Sequence, residues 1–290
     1  MSGRLLYSTL FLLLSVTLVA STSRAELFKA ALDESEWRFK GSPFLCELTH
    51  PVPRFGQIHF LAEAGESLKM SIESAWMKDF QGSLTFGITP APWQLTQKPE
   101  IIGMKNFAEQ NAPITHGVLR LLEKIQNGHW AELNIQRPDH PLWKVRLSGV
   151  GFSEAYLPFN RCRTQLLPAN FDQLRFTTVI YRSSKSVLTR EQRKELDKVI
   201  EYMKTDPRVV RVEVDGHSDR VGTALGNRKI SRLRAERIRN YMQEEGIEES
   251  RIVLRFHGSR YPLNKGTTKE LRAKNRRVEL RLVRLQNPDS

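Results

Sequence analysis

Beyond residue 20 this chain has no apolar run long enough to cross a membrane as a helix, which takes about 20 residues. It has two cysteines in 290 residues, Cys46 and Cys162. Neither stands just after the first apolar segment, which argues against a lipid-anchored start. His50, His59, His116, His129 and His140 are scattered, with none of the spacings that hold a metal. No paired acid set, zinc spacing or activated nucleophile stands out. The sequence therefore predicts neither an enzyme nor a bound cofactor. Hydrophobic residues, by contrast, make up 40% and aromatics 9%, enough for real cores and too many for a disordered chain. At roughly 100–200 residues per domain, the length suggests two domains.

Charge divides the chain. Lys and Arg total 45 against 32 Asp and Glu, a net charge of +13. Residues 1–25 hold Arg4 and Arg24 and no acid. Residues 26–169 hold 15 basic and 15 acidic residues, and residues 170–290 hold 28 and 17. One neutral half and one strongly basic half point to two domains with different tasks. The basic total suggests a nucleic-acid binder, and RKISRLRAERIR (Arg228–Arg239) strengthens that suggestion.

The start of the chain argues otherwise. A short basic opening, Met1–Arg4, precedes an apolar run, Leu5–Ala20, and then Ser23-Arg24-Ala25 with small residues three and one before a cut. This is the three-part plan of a secretory signal peptide over residues 1–25. A retained membrane anchor is the rival, but the run is short for one. An exported chain rarely meets nucleic acid, so no nucleic-acid partner and no integral membrane span are expected. In an oxidising compartment Cys46 and Cys162 read most simply as a disulfide, with two buried free thiols as the alternative. A bridge would tie the start of the neutral half to its end and set a domain boundary near Pro168.

The neutral half, residues 26–168, reads as β-rich. Leu68, Met70, Ile72, then Leu84, Phe86, Ile88, then Trp143, Val145, Leu147 alternate at period two, as half-buried strands do. Residues 44–62 alternate loosely and are interrupted by Pro51 and Pro53. One helix is expected near Gly117–Ile125. The pattern is that of an irregular antiparallel domain with runs too short for a membrane barrel. Trp76, Trp93, Trp130 and Trp143 read as core or partner-facing aromatics.

The basic half, residues 169–290, alternates strand and helix. Leu174–Tyr181 reads as a strand. Thr189 with Gln192 is a capping box, and Leu196, Val199, Ile200 and Met203 line the helix after it. Val210, Val212 and Val214 form a strand. A helix from Thr223 or Asn227 to Glu245 turns Ile230, Leu233, Ile238, Tyr241 and Met242 inward. Ile252, Leu254 and Phe256 are a third strand. Thr267 with Glu270 opens a short helix, and Val278, Leu280 and Leu282 close the half. The fold class is α+β: a β-rich first domain, then a β-α-β-α-β-α-β sandwich with helices on one side of a sheet.

Four motifs punctuate the second half: GHSDRVG (Gly216–Gly222), NRKISRLRA (Asn227–Ala235), HGSRYP (His257–Pro262) and NRRVEL (Asn275–Leu280). In order and spacing they resemble the OmpA-like peptidoglycan-binding family. Ser218 replaces the usual Thr, Ile230 the usual Leu, and Ser259 a common Gly. In the first half CELTHPVPRFG (Cys46–Gly56), APW (Ala91–Trp93) and FNRC (Phe159–Cys162) resemble the MotY family of periplasmic flagellar-motor proteins. That family has a signal peptide, a β-rich domain with one disulfide and an OmpA-like domain.

The resemblance implies a non-enzymatic anchor in the periplasm, on the outer-membrane side. Its partners would be peptidoglycan through one domain, and the flagellar basal body with its stator proteins, in a T-ring, through the other. A general envelope anchor with an unrelated partner is the alternative. The family's ligand is the diaminopimelate of the stem peptide, whose side-chain end carries an ammonium and a carboxylate. Asp219 matches the residue that takes the ammonium, Arg234 the one that grips the carboxylate, and Asn227 and Ser218 line the same pocket. Asn275 and Arg277 fall in the motif near the cleft. Asp219 and Arg234 are otherwise an internal ion pair that fixes a turn, and Arg277 otherwise a brace.

Overall fold

Burial alternates at period two along residues 56–63 and 143–147 of the first half. The computed structural model describes residues 25–285 apart from 79, 95–97, 108–112 and 139; the expected signal peptide lies outside the described residues but for Ala25. The elements in chain order are β1 (Glu26–Lys29), β2 (Arg38–Gly41), β3 (Leu45–Val52), β4 (Gly56–Glu63), β5 (Lys69–Glu73), β6 (Gly82–Thr89), β7 (Glu100–Phe107), α1 (Val118–Gln126), β8 (Trp130–Gln136), β9 (Trp143–Leu147) and α2 (Phe152–Thr164). They form two open sheets, β1-β9-β8-β6-β7 and β2-β3-β4-β5. Alternate residues, such as Ile58 and Phe60 of β4 and Leu133 and Ile135 of β8, meet in one shared core. The expected helix is α1, which adds Val118, Leu121, Leu122 and Ile125 to that core.

Two expectations for this half are corrected. There is a second helix, α2, although Pro158 sits inside it. Proline lacks the N–H and normally breaks a helix; here Phe152, Ala155, Tyr156 and Phe159 are buried on one face and hold the helix by packing. The domain is also not purely antiparallel, since β1 runs parallel to β9. Pro51 interrupts nothing: it lies in β3 beyond the stretch that β2 covers, where no ladder partner needs its missing N–H. Trp130 and Trp143 are core residues, while Trp76 and Trp93 are exposed.

Cys46 and Cys162 are joined in a disulfide, with Cα atoms 6.0 Å apart. The bond fastens α2 to β3. Closing a loop of 116 positions removes unfolded-chain entropy worth about 4–5 kcal/mol. Gly41 of β2 makes room for it, since a Cβ there would lie 2.8 Å from Cys162 Sγ.

The second half comprises α3 (Phe171–Leu174), β10 (Phe176–Ile180), α4 (Arg190–Thr205), β11 (Val209–His217), α5 (Ala224–Glu244), β12 (Ile252–Gly258), α6 (Lys269–Asn275) and β13 (Arg277–Arg284). Its sheet runs β10-β13-β11-β12. Leu196 and Val199 of α4, Ile238 and Met242 of α5, and Val212, Val214, Val278 and Leu280 of the sheet share a second core. The capping box at Thr189 and Gln192 is present.

Three details differ from the sequence reading. Leu174 belongs to α3, not to the strand. Thr268, not Thr267, caps α6, accepting the N–H of Leu271. The buried stripe of α5 is Asn227, Ser231, Arg234, Ala235, Ile238 and Met242, whereas Leu233 is 44% exposed. A polar stripe turns inward because it faces a cleft at one end and backbone carbonyls along its middle.

The joint between the halves is packed. Leu167 donates its N–H to the carbonyl of Pro43 (3.0 Å), Gln173 donates to the carbonyl of Gly65 (3.0 Å), and Phe44 packs against Tyr202. The boundary expected between 168 and 169 falls inside this segment.

The sheet's other face carries charge. Glu213 and Asp215 accept from Arg255 at 2.7 Å each, and Asp215 also takes His257 Nε2 at 2.8 Å. His217 is buried beside them, stacked on His257, and burial, with Arg277 nearby, lowers its pKa to about 4. In the first half His50 is fully buried, donates from Nδ1 to the carbonyl of Glu36 (2.8 Å) and is lowered to about 4 by burial. An unfolded histidine takes its proton near 6.5, so between about pH 6.5 and about pH 4 the unfolded chain binds the extra protons. Stability is expected to fall as pH drops through that window. Urea midpoints at about pH 7.5 and about pH 5 measure it, and a His50→Gln/His217→Gln chain should show a shallower slope. An unchanged slope in that variant would mean that neither ring is held neutral.

Candidate functional site

A cleft of about 500 Å³ opens between the end of β11, the start of α5 and α6. Each wall has a local cause. β11 ends at His217, and the chain then turns through Ser218 and Asp219. Ser218 donates its N–H to the carbonyl of Gly258 (2.9 Å), which pins the turn to β12. Asp219 Oδ1 accepts the N–H of Val221 (3.3 Å), the short side chain closing its own turn. Thr223 then caps α5 by accepting the N–H of Gly226 (3.1 Å), which brings Asn227 and Arg234 to the cleft.

Asp219 and Arg234 both line the cleft, but they are not bonded to each other. Asp219 Oδ2 instead accepts from Arg276 Nη1 at 2.9 Å, with side chains 12% and 13% exposed. Arg234 is almost wholly buried. Its Nε donates to the carbonyl of Lys185 (2.9 Å), Nη1 to that of His217 (3.4 Å) and Nη2 to that of Arg182 (3.3 Å). The guanidinium also lies over the ring of Tyr181 at 5.1 Å. Burial lowers its pKa, partly offset by Tyr181; it stays charged, since an arginine titrates far above neutrality. Arg234 thus ties the 181–185 segment to the end of β11 and builds the cleft wall.

The remaining candidates divide. Asn227 is buried in the cleft wall. Ser218 is buried too, and its hydroxyl donates to the carbonyl of Asp219 (3.1 Å). Asn275 does not line the cleft: it donates to the carbonyl of Asn264 (2.8 Å) and accepts that residue's N–H (3.1 Å), clamping a loop. Arg277 is on the charged face of the sheet, where its Nε donates to Glu279 Oε1 (2.7 Å). Strand side chains alternate faces, so Arg277 points away from the cleft and acts as a brace. Arg276, one residue earlier, is the member of the motif that reaches Asp219. Lys269 and Arg272 also line the cleft; their i, i+3 spacing within α6 was a readable helical-face signal, and Arg276 follows just past the end of that helix. Among the described residues no group of three or more His, Cys, Asp or Glu is arranged to hold a metal. No helix among them is long and apolar enough to cross a membrane.

Two family models match successive parts of the chain. The MotY N-terminal domain matches residues 28–168 and the OmpA family matches residues 180–276. The chain joins a MotY N-terminal domain to an OmpA-family domain. Sodium-type flagellar protein MotY of Vibrio parahaemolyticus is 27% identical, over 93% of this chain and 96% of its own length. Outer membrane protein A of Bordetella avium is 35% identical over 34% of this chain and 50% of its own. The crystal structure of the peptidoglycan-associated lipoprotein from Burkholderia pseudomallei, 22% identical, covers 37% of this chain and 89% of its own, with a TM-score of 0.35. The cleft, with Asp219, Arg234 and Arg276, belongs to the OmpA-family domain; the disulfide belongs to the MotY N-terminal domain.

The two guanidiniums should separate in a stability measurement. Arg234→Ala is expected to cost about 2–4 kcal/mol, because it strands buried carbonyls that now accept charge-assisted bonds. Arg276→Gln should cost less, about 1–2 kcal/mol, because it breaks one mostly buried pair with Asp219 and one bond to the Tyr181 carbonyl where Arg234→Ala strands three carbonyls. Urea denaturation reads both, and equal costs would mean that Arg234 is no more structural than Arg276.

Proposed function

We propose that this chain is a non-enzymatic, periplasmic component of the flagellar motor. Its OmpA-family domain binds peptidoglycan, and its MotY-type domain docks on the basal body, in a T-ring that helps recruit and hold stator units. The observation that carries this reading is the pairing of the two domain types in one chain, alignable to a flagellar MotY along nearly its whole length. Such a protein needs two grips and no bond-breaking chemistry.

Ligand chemistry supports the wall-binding half. Diaminopimelate offers an ammonium and a carboxylate on one side-chain end. Asp219, held at the mouth of the cleft, has lone pairs left for the ammonium after serving Val221 and Arg276. Arg234 and Asn227 shape the pocket around it. The basic balance of residues 170–290 suits a polymer whose stem peptides carry free carboxylates.

Asp219→Asn keeps the size of the side chain and most of its bonds but removes the charge. It should lower retention of the full-length protein on purified sacculi by about tenfold or more, one charge-assisted bond's worth, with little change in melting temperature. Undiminished retention by the folded variant would overturn the site. In cells, deleting the gene should impair swimming and reduce the stator units at basal bodies. Restoring the Asp219→Asn chain should return the protein to basal bodies without full motility. Normal swimming in the deletion strain would overturn the motor role.

A further inference from the structure

The stretch CELTHPVPRFG (Cys46–Gly56) of the first domain ends in a strained turn. Val52 accepts the N–H of Phe55 (3.1 Å), so Val52–Phe55 is a β-turn with Pro53 second and Arg54 third. Arg54 has φ +65°, the left-handed region that glycine or asparagine normally fills at that position. Two side chains from just beyond β5 hold the turn: Trp76 Nε1 donates to the carbonyl of Arg54 (3.0 Å), and Ser74 Oγ to that of Phe55. Strain of this kind persists only where the surroundings impose it, and it collects at functional positions.

A groove of about 810 Å³ lies between this turn and the segment 72–78. Pro51, Pro53, Ile72, Ala75 and Trp76 give it apolar walls. Trp76 is 50% exposed, yet its indole is fixed by the bond to Arg54 and by edge-on packing against Trp143 (5.7 Å). A rigid, exposed tryptophan beside an arginine has the composition of a binding hot spot, and fixed groups lose little entropy on binding. The rim is basic. Arg54 and Lys78 are exposed and have no carboxylate within ion-pair distance among the described residues. The one acid of the lining, Glu73, is bonded to His59 Nε2 (3.0 Å). Main-chain groups are open as well. Met70 exchanges both backbone bonds with Ile114 (2.7 and 2.9 Å). Two residues further along β5, Ile72 turns its N–H and C=O to the same side, where no described residue meets them.

We propose that this groove is the docking surface of the first domain, and that it takes an extended acidic segment of a basal-body protein. The main chain of that segment continues the edge of β5 at Ile72. One of its apolar side chains packs on Trp76, Pro51 and Pro53, and its carboxylates meet Arg54 and Lys78. Charge complementarity selects this occupant: a second copy of the same groove would bring Arg54 and Lys78 against their own kind. The inference rests on the basal-body reading of this domain and adds where the grip lies and what it recognises.

The test is co-sedimentation of the full-length protein with basal bodies purified from a strain lacking the gene and freed of peptidoglycan, so that wall binding does not contribute. Arg54→Gly/Lys78→Gln removes both rim charges, and glycine accepts the left-handed turn without strain, so the melting temperature should not fall. Apparent affinity should drop by about tenfold or more, the worth of about one charge-assisted bond. Raising NaCl from about 50 mM to about 500 mM should weaken binding of the unaltered protein and leave the variant's remaining affinity nearly unchanged. Lys29→Gln/Lys40→Gln, which removes two exposed charges of the same domain outside the groove, should keep full affinity. Full affinity in the Arg54→Gly/Lys78→Gln chain, salt-independent binding of the unaltered protein or an equal loss in the control would overturn the proposal. So would self-association of the unaltered chain, seen by sedimentation velocity, that the same double variant abolishes, since a second copy would then be the occupant. Failure of the unaltered protein to bind basal bodies at low salt would instead overturn the basal-body reading itself.

Discussion

The close approach of α5 to β11 is the constraint on which the second domain depends. Gly216 permits it. A Cβ there would lie 2.3 Å from the carbonyl oxygen of Ser231, so any larger residue pushes the helix away. With the helix this near, Ser231 Oγ accepts the N–H of Gly258 (3.1 Å) and Arg234 reaches the carbonyl of His217. Ala235 and Ile238 seal the rest of the seam with fully buried apolar contacts. The turn holding Asp219 follows directly after this seam, so the geometry of the site is inherited from a packing distance and not from the site residues themselves.

Strand parity then sorts the charges. On β11 the even positions Val212, Val214 and Gly216 face the helices, and the odd positions Glu213, Asp215 and His217 face the other way. β13 repeats the division, with Val278, Leu280 and Leu282 inward and Arg277, Glu279 and Arg281 outward, each cation on a neighbouring acid. The acids of that face are thus each matched by arginine, so the face adds little to the net basic charge of this half. The cleft is different: there cations outnumber acids. Net charge located the domain of interest; in the cleft it takes the form of Arg234, Lys269, Arg272 and Arg276 around the single carboxylate of Asp219.

The first domain solves a different problem. Its two sheets are short-stranded, and α2, with an internal proline, is a poor helix by propensity. A shared aromatic core around Trp37, Phe60, Phe152 and Phe159 and the Cys46–Cys162 bond hold it. The packed joint at Phe44, Gly65, Leu167 and Tyr202 continues this into the second core.

The sequence by itself determined the two-part organisation, the strand–helix order of the second half, the helix α1 and the family of each part. Those features rest on local periodicity, capping residues and motif spacing, which are one-dimensional signals. It did not disclose α2, because Pro158 hides a helix held by tertiary packing, nor the parallel pairing of β1 with β9, because the partners are more than a hundred residues apart. It named Asp219, Arg234, Asn227 and Ser218 but misjudged their neighbours. Only the tertiary structure decided that Arg276 and not Arg277 reaches Asp219, since adjacent residues leaving a helix for a strand point to opposite sides. Only it showed that Arg234 spends its nitrogens on carbonyls at positions 182, 185 and 217, contacts between segments that no spacing rule connects.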